Sequence, residues 1–301
     1  MNDKCVSFNL DNNLFRGRIV RLDNIVNEVF KRRQYPDNVA AAVSETASLG
    51  VILASLMKFE GLFTLQIYGD GPVSTLICDV TSEGRVRACA QYDEAKMQRA
   101  QELRKTVGML EATPFWLGKG NLVFTVDQGK GMEPYQGIVD LQGNTLEACA
   151  LRYFKKSEQI DTHLHLYLHK ENDIWYSAGI LIQKMPTQGG FEQTLDAENL
   201  DEKWNECKIL LDSLTKEEIF DKKLSLEDIL FRLFHEHELR VFKTDEYHFG
   251  CRCSKEKLVN TIGAMKQDDI EAMIENDKIT ATCGFCGEVY EFLPTEFIKS
   301  H

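Results

Sequence analysis

The spacing of apolar residues changes period several times along the chain, and each change marks an element. RGRIVRLD (16–23) alternates with period two, and the following NIVNEVF (24–30) moves to helical spacing, which predicts a strand running into a helix. Pro36 heads PDNVAAAVSETASLGVILASLM and Gly61 follows its end, which places Pro36 at the first position of a long helix. Residues 40–57 of that helix are the best candidate for a membrane span. Ser44, Glu45, Thr46 and Ser48 interrupt them, so a helix buried in a protein core fits better.

FTLQIYGDGPVSTLICDVTSEGRVRACAQYD (63–93) alternates apolar and polar residues across two turn signals, and predicts an antiparallel meander. DEAKMQRAQELRKT (93–106) reads as a short polar helix or an exposed crossover. GNLVFTVDQGKGMEPYQGIV (120–139) reads as a hairpin with Gly129 and Gly131 in its turn. LRYFKKSEQIDTHLHLYLHKENDIWYSAGILIQKMP (151–186) reads as a helix end followed by two strands. Residues 1–186 are therefore expected to form a mixed α+β domain of antiparallel sheet and helices, and TQGGFEQ (187–193) a linker-like break.

Beyond that break the period is helical again. Trp204, Cys207, Leu210, Leu211 and Leu214 make one apolar stripe, and Leu226, Ile229, Leu230, Leu233 and Phe234 another. Thr215 with Glu218, and Ser225 with Asp228, have the spacing of capping pairs at helix starts. Short helices are marginal alone in water, so these must lie on another surface. Residues 191–240 carry fourteen acids against seven bases, more than half of the chain's formal charge of −12. A solvated acidic face is the plain reading; a weakly stable segment that can leave its support is the sharper one. Residues 187–240 are taken as this helical linker and residues 241–301 as a third, small domain.

The total of 301 residues suits about two domains on a prior of about 100–200 residues each, and an apolar content of 43% suits a full core. The negative balance argues against nucleic acid and anionic membrane as partners. MNDKCVSFNL has no basic stretch ahead of an apolar run, so a cytoplasmic location is expected. Thiols there stay reduced, so nine cysteines point to metal binding or redox chemistry before a disulfide framework.

Four of the nine are clustered. Cys251-x-Cys253 and Cys283-x-x-Cys286 are two close pairs with 29 residues between them. Each short spacing puts two sulfurs on one side of a tight turn, and two such turns close a tetrahedron around Zn²⁺. Ser254 can cap a helix through Ile262, and Asp268 and Asp269 suit the first turn of a second helix that buries Ile270, Met273 and Ile274. With four sulfurs bound, no position is open for hydrolytic chemistry. The cluster is a static zinc staple, or a sensor whose thiolates oxidise to disulfides and release the metal. Structural zinc contributes about 10–16 kcal/mol in small peptides, and a domain of about 60 residues is marginal on its core alone. Oxidation would then unfold the tail and loosen whatever leans on it.

Other candidates are weaker. Cys5, Cys78, Cys89, Cys149 and Cys207 are scattered among apolar neighbours and read as buried, inert thiols. His163, His165 and His169 share one face of a strand; histidines so placed can bind metal, but a polar solvent face is the expectation. HEHEL at His235 has Leu239 where a metalloprotease helix needs its second histidine, four residues on. Gly-Asp-Gly-Pro at 69–72 is a turn and not a phosphate loop, and no nucleophile–base set is evident.

Taken with RGRIVRLD, GDGPVSTLICDVTSEGRVR, GMEPYQGIV, YFKKSEQIDT, RLFHEHELRVF and the ending FGCRCS…TCGFCG, nearly the whole chain resembles the thirty-three-kilodalton heat-shock protein family of redox-regulated bacterial chaperones. The resemblance implies a non-enzymatic, ATP-independent holdase with an N-terminal core carrying part of the client surface. It further implies a metastable acidic linker and a zinc sensor held by Cys251, Cys253, Cys283 and Cys286. Oxidation would pair Cys251 with Cys253 and Cys283 with Cys286. The protein would then bind unfolded clients, as a homodimer when oxidised and a monomer when reduced. The other five cysteines lie outside the family motif, and Cys207 in the linker leaves room for unwanted disulfides.

Two further readings compete. A zinc-ribbon module for nucleic acid or a protein partner is opposed by six bases against nine acids from Cys251 to His301. A thiol oxidoreductase using Cys283 and Cys286 lacks the βαβ setting such chemistry uses.

Overall fold

The structure is a computed structural model and describes residues 3–107, 113–129, 131–186 and 197–297. The expected break at 187–193 lies outside the described residues. Strands β1 (Lys4–Leu10) and β2 (Phe15–Leu22) form a hairpin, followed by helices α1 (Asn24–Arg32) and α2 (Asp37–Ser55). Strands β3 (Leu62–Gly69), β4 (Val73–Thr81) and β5 (Arg85–Tyr92) are the meander. Helices α3 (Glu94–Val107) and α4 (Thr113–Leu117) lead to the hairpin β6 (Gly120–Asp127) and β7 (Tyr135–Asp140). Helix α5 (Leu146–Tyr153) leads to the hairpin β8 (Thr162–Glu171) and β9 (Ile174–Lys184). The linker segment holds α6 (Ala197–Asp212), α7 (Lys216–Ile219) and α8 (Leu226–Phe234). Then come β10 (Arg240–Glu246), β11 (His248–Phe249), α9 (Lys255–Gly263), α10 (Gln267–Ala272), β12 (Ile274–Glu275), β13 (Lys278–Thr282) and β14 (Val289–Phe292).

The strands make three sheets, ordered β10-β1-β2-β9-β8, β11-β5-β4-β3-β6-β7 and β12-β13-β14. Helix α2 lies between the first two and packs on strands of both. It buries residues around its whole circumference, Val39, Val43, Leu49 and Ile52 among them. It is long and apolar enough to cross a membrane by composition, yet 78% of its apolar window is buried here. The interior helix expected from its sequence is thus observed. Pro36 stands one residue earlier than expected, just ahead of the helix, where its carbonyl accepts the N–H groups of Val39 and Ala40. Gly50 lets α2 approach β4 closely, since a Cβ there would lie 2.6 Å from the Cys78 sulfur.

The first sheet is apolar on both faces. Side chains alternate along a strand, so Cys5, Val20 and Leu181 face α2, while Val6, Phe8, Ile19, Ile180 and Ile182 face the other way. That second face is covered by the linker helices through Trp204, Leu211, Leu214, Ile229, Leu230, Leu233 and Phe234. Phe8 stacks on Phe234 at 5.8 Å between ring centroids and Phe15 meets Trp204 at 5.6 Å. Both expected capping boxes form, Thr215 with Glu218 at α7 and Ser225 with Asp228 at α8. Asp11 adds a polar clasp: its carboxylate accepts from His237 Nδ1 at 3.0 Å, the Glu238 N–H at 3.2 Å and Lys203 Nζ at 3.3 Å.

The histidine face of β8 is only partly the solvent face expected, since the linker lies over part of it. His163 and His165 each hydrogen-bond to Asp212 of α6, and His169 stacks on Tyr176 and approaches Phe220. Alternation predicts correctly that these residues share a face; it cannot predict that a later helix lies over it. Cys5, Cys78, Cys89, Cys149 and Cys207 are all buried, and burial pushes Cys5 and Cys149 up to about 11 and Cys89 and Cys207 up to about 12.

The C-terminal region has its own small core of Ile262, Ile270, Ile279 and Phe292. Met273 and Ile274 pack against it without being fully buried, and Ile274 opens β12 where α10 was expected to continue. The segment before the cysteines joins both large sheets. Strand β10 pairs antiparallel with β1, and β11 pairs parallel with β5.

Candidate metal centre

The backbone brings the two cysteine pairs together from opposite ends of the small domain. Cys251 and Cys253 follow β11 directly, ahead of α9, whose start is capped by Ser254 accepting the Lys257 N–H at 3.3 Å. Cys283 and Cys286 lie in the turn between β13 and β14. There Cys283 N–H donates to Glu288 O and Gly287 N–H to Cys283 O, each at 2.9 Å. Gly287 has φ +70°, and a Cβ at that position would lie 2.7 Å from the Arg32 carbonyl oxygen, so glycine is required twice over.

The sulfurs of Cys251 and Cys253 are 3.4 Å apart, those of Cys251 and Cys283 3.7 Å, and those of Cys253 and Cys286 3.4 Å. All four lie within 4.8 Å of one another. Sulfurs held about 2.3 Å from one tetrahedral ion sit about 3.8 Å apart. The observed spacing therefore fits a single ion of the zinc class, and the all-sulfur donor set suits that ion.

The centre is also wired to the core by residues that sequence reasoning did not single out. Asp79 is buried on β4, its Oδ1 held by the Thr64 hydroxyl at 2.7 Å. Its Oδ2 accepts Arg87 Nη2 at 2.6 Å, Arg87 Nε at 2.8 Å and Arg252 Nη2 at 3.2 Å. Arg87 then reaches the cluster itself, with Nη1 3.6 Å from Cys251 Sγ and its guanidinium 3.8 Å above the Phe285 ring. Arg33 Nη1 donates to the Gly284 carbonyl at 2.6 Å. Asp79, Arg87 and Arg33 lie in strand and helix patterns far from the cysteines, and only the charged residues on inward-facing strand positions hinted at them.

These contacts make the four sulfurs unequal. Burial opposes ionisation of Cys251, but the Cys253 backbone N–H, the Cys253 thiol and the Arg87 guanidinium outweigh it and draw Cys251 down to about 7. Burial raises Cys253 and Cys286, the latter also through its neighbouring thiols. The Tyr290 hydroxyl donates to Cys253 Sγ at 3.2 Å. A second group of potential ligands, His163, His165 and Asp212, lies under the linker.

Comparison with known proteins agrees with this architecture. The family model described as Hsp33 protein matches residues 3–293. A 33 kDa chaperonin of Caulobacter vibrioides is 31% identical over 299 residues, covering 98% of this chain and 96% of the relative. The 33 kDa chaperonin of Pseudomonas aeruginosa is 33% identical over 292 residues, with coverage of 96% and 91%. The crystal structure of the 33 kDa chaperonin from Thermotoga maritima superposes with a TM-score of 0.77 at 20% identity, over 99% of this chain and 97% of the other, so the fold is the same. With the family model spanning both sheets, the linker helices and all four clustered cysteines, the chain belongs to the Hsp33 protein family.

Proposed function

We propose that the protein is a redox-regulated, ATP-independent holdase of the cytoplasm. In this reading Cys251, Cys253, Cys283 and Cys286 hold one Zn²⁺ in the reduced state. These four thiolates would hold the ion between two turns of the chain and, while bound to it, would not pair with one another. A peroxide-class oxidant takes two electrons from each close pair, giving the disulfides Cys251–Cys253 and Cys283–Cys286 and abolishing the ligand set. The tail is then left with the small Ile262, Ile270, Ile279 and Phe292 core and its polar braces to Asp79, Arg87 and Arg33, too little for independent stability.

The observation that carries the proposal is the placement of the linker. Its helices cover an apolar sheet face with an apolar stripe, and the segment that ends the linker is stitched into both large sheets immediately before Cys251. Loss of tail structure would strain β10 and β11 and free two complementary apolar surfaces at once. Surfaces of that kind bind unfolded chains, and the relatives' name of chaperonin supports this client class. Exposed Phe231 and Ile209 already place apolar surface on the outside of the docked linker. Oxidised protein is expected as a homodimer and reduced protein as a monomer.

The deciding experiment follows zinc release, free thiols and suppression of client aggregation before and after peroxide at mildly elevated temperature. Loss of one zinc and four thiols together with the appearance of aggregation suppression is expected. Retained zinc with no suppression would make the centre a static staple and overturn the proposal.

A further inference from the structure

Three polar side chains meet where the linker crosses the edge of the first sheet. His163 Nε2 and His165 Nε2, two residues apart on β8, lie 2.6 and 2.7 Å from the same Asp212 Oδ1. Asp212 is the last residue of α6, where the negative end of the helix dipole disfavours a carboxylate. Two imidazole nitrogens at hydrogen-bond distance offset that here, and the same three atoms can turn to one shared cation in place of the protons between them. Behind His165, the Glu147 carboxylate lies 3.8 Å from Nδ1 and is itself fixed by accepting the Leu166 N–H. At that distance the carboxylate does not hydrogen-bond the ring, but its negative charge lies on the side of the imidazole away from Asp212 and favours His165 as an electron-pair donor. The three side chains are 22%, 32% and 52% exposed, so one side stays open to water for the remaining coordination positions.

The geometry points to a second metal site, separate from the cysteines, in which His163 Nε2, His165 Nε2 and Asp212 bind a divalent transition-metal ion and so clamp α6 onto β8. Two imidazoles and one carboxylate on one side of an ion, with open positions opposite, suit zinc and its first-row neighbours. The clamp spans a strand of the core and a helix of the linker, and Tyr167, next on the same strand face, donates to the Leu214 carbonyl at 3.0 Å at the same junction. An ion bound here stabilises the docked linker and opposes its release; this consequence rests on the holdase reading, but the site itself does not.

The test uses reduced full-length protein already carrying one equivalent of Zn²⁺ in its cysteine centre. Further Zn²⁺ is added and followed by calorimetry and by amide exchange. A second equivalent is expected, accompanied by slower exchange in Ala197–Asp212. Asp212→Asn and His163→Gln are each expected to weaken only that equivalent by at least about a hundredfold, leaving the first equivalent and the circular dichroism unchanged. Glu147→Gln, which keeps an acceptor for Leu166 and removes only a charge 3.8 Å from His165, is expected to weaken it less than either ligand substitution does. Saturation at one equivalent, or a second equivalent untouched by Asp212→Asn, overturns the site. No oxidant or client is present, so failure here leaves the holdase reading intact, and failure of that reading leaves this site intact.

Discussion

At the scale of single residues, Arg87 has the largest reach. It is paired with buried Asp79, covers Phe285 and contacts Cys251, so one side chain links the β-sheet core to the cysteine turn. Removing one partner of a buried ion pair costs about 3–5 kcal/mol, and Arg252 remains to offset part of that. Arg87→Leu is therefore expected to keep zinc but speed amide exchange across residues 250–290; exchange equal to the parent protein would remove Arg87 from this role. Glu45 gives a pH dependence. Burial on α2 pushes its carboxyl up to about 7, although the Thr113 hydroxyl bonded to it pulls the other way. The unfolded chain ionises near 4.5 and the folded chain near 7. Between those values the unfolded state holds fewer protons, so stability falls as pH rises through this window. Glu45→Gln is expected to flatten that slope and to raise stability near pH 8 by about 1–3 kcal/mol. Thermal melts of reduced protein from pH 5 to pH 8 check this, and parallel slopes in the two proteins would contradict it.

At the scale of elements, the linker helices divide into what their own sequence supplies and what the sheet supplies. Helix α8 has nine residues, too few to persist alone, and depends on the Ser225–Asp228 capping box and on Leu226, Ile229, Leu230, Leu233 and Phe234 beneath it. Ser225→Ala should cost about 1 kcal/mol. That loss is local to the linker, so the expected result is faster proteolysis within 197–239 and aggregation suppression after milder oxidation, with zinc content unchanged. If protease resistance and activation threshold both match the parent protein, α8 is not part of the release step. The capping pairs and both apolar stripes were readable in the linear chain because each is a local pattern. The Asp11 clasp was not, because Asp11 lies in the β1–β2 turn and His237 beyond α8, 226 residues later.

At the scale of the whole molecule, the chain between the linker helices and Cys251 is paired into both large sheets. Strand β10 extends the first sheet and β11 the second, so the segment 240–249 belongs to core hydrogen bonding while leading directly into Cys251. If the proposed zinc switch operates, stripping the metal from reduced protein with a strong chelator should reproduce part of the proposed oxidised state without forming a disulfide. The expected result is loss of tail structure by amide exchange, slower but real exposure of the Val6, Phe8, Ile19 sheet face, and reversal on adding Zn²⁺. A chelated tail that unfolds while the linker stays fully protected would show that zinc and linker are not coupled.

The sequence by itself determined the mixed α+β class, the interior helix α2, the meander, the β6–β7 hairpin, the two strands β8 and β9 and the four-cysteine cluster. Each rests on spacing within a short window: period two for strands, period near 3.6 for helices, and two close cysteine pairs for a tetrahedral site. Tertiary structure alone decided which surface the linker covers, that His163 and His165 meet Asp212, and that Asp79, Arg87 and Arg33 brace the cysteine turns. Those contacts join residues separated by tens to hundreds of positions. Their free energy depends on burial and mutual geometry, which no local pattern along the chain encodes.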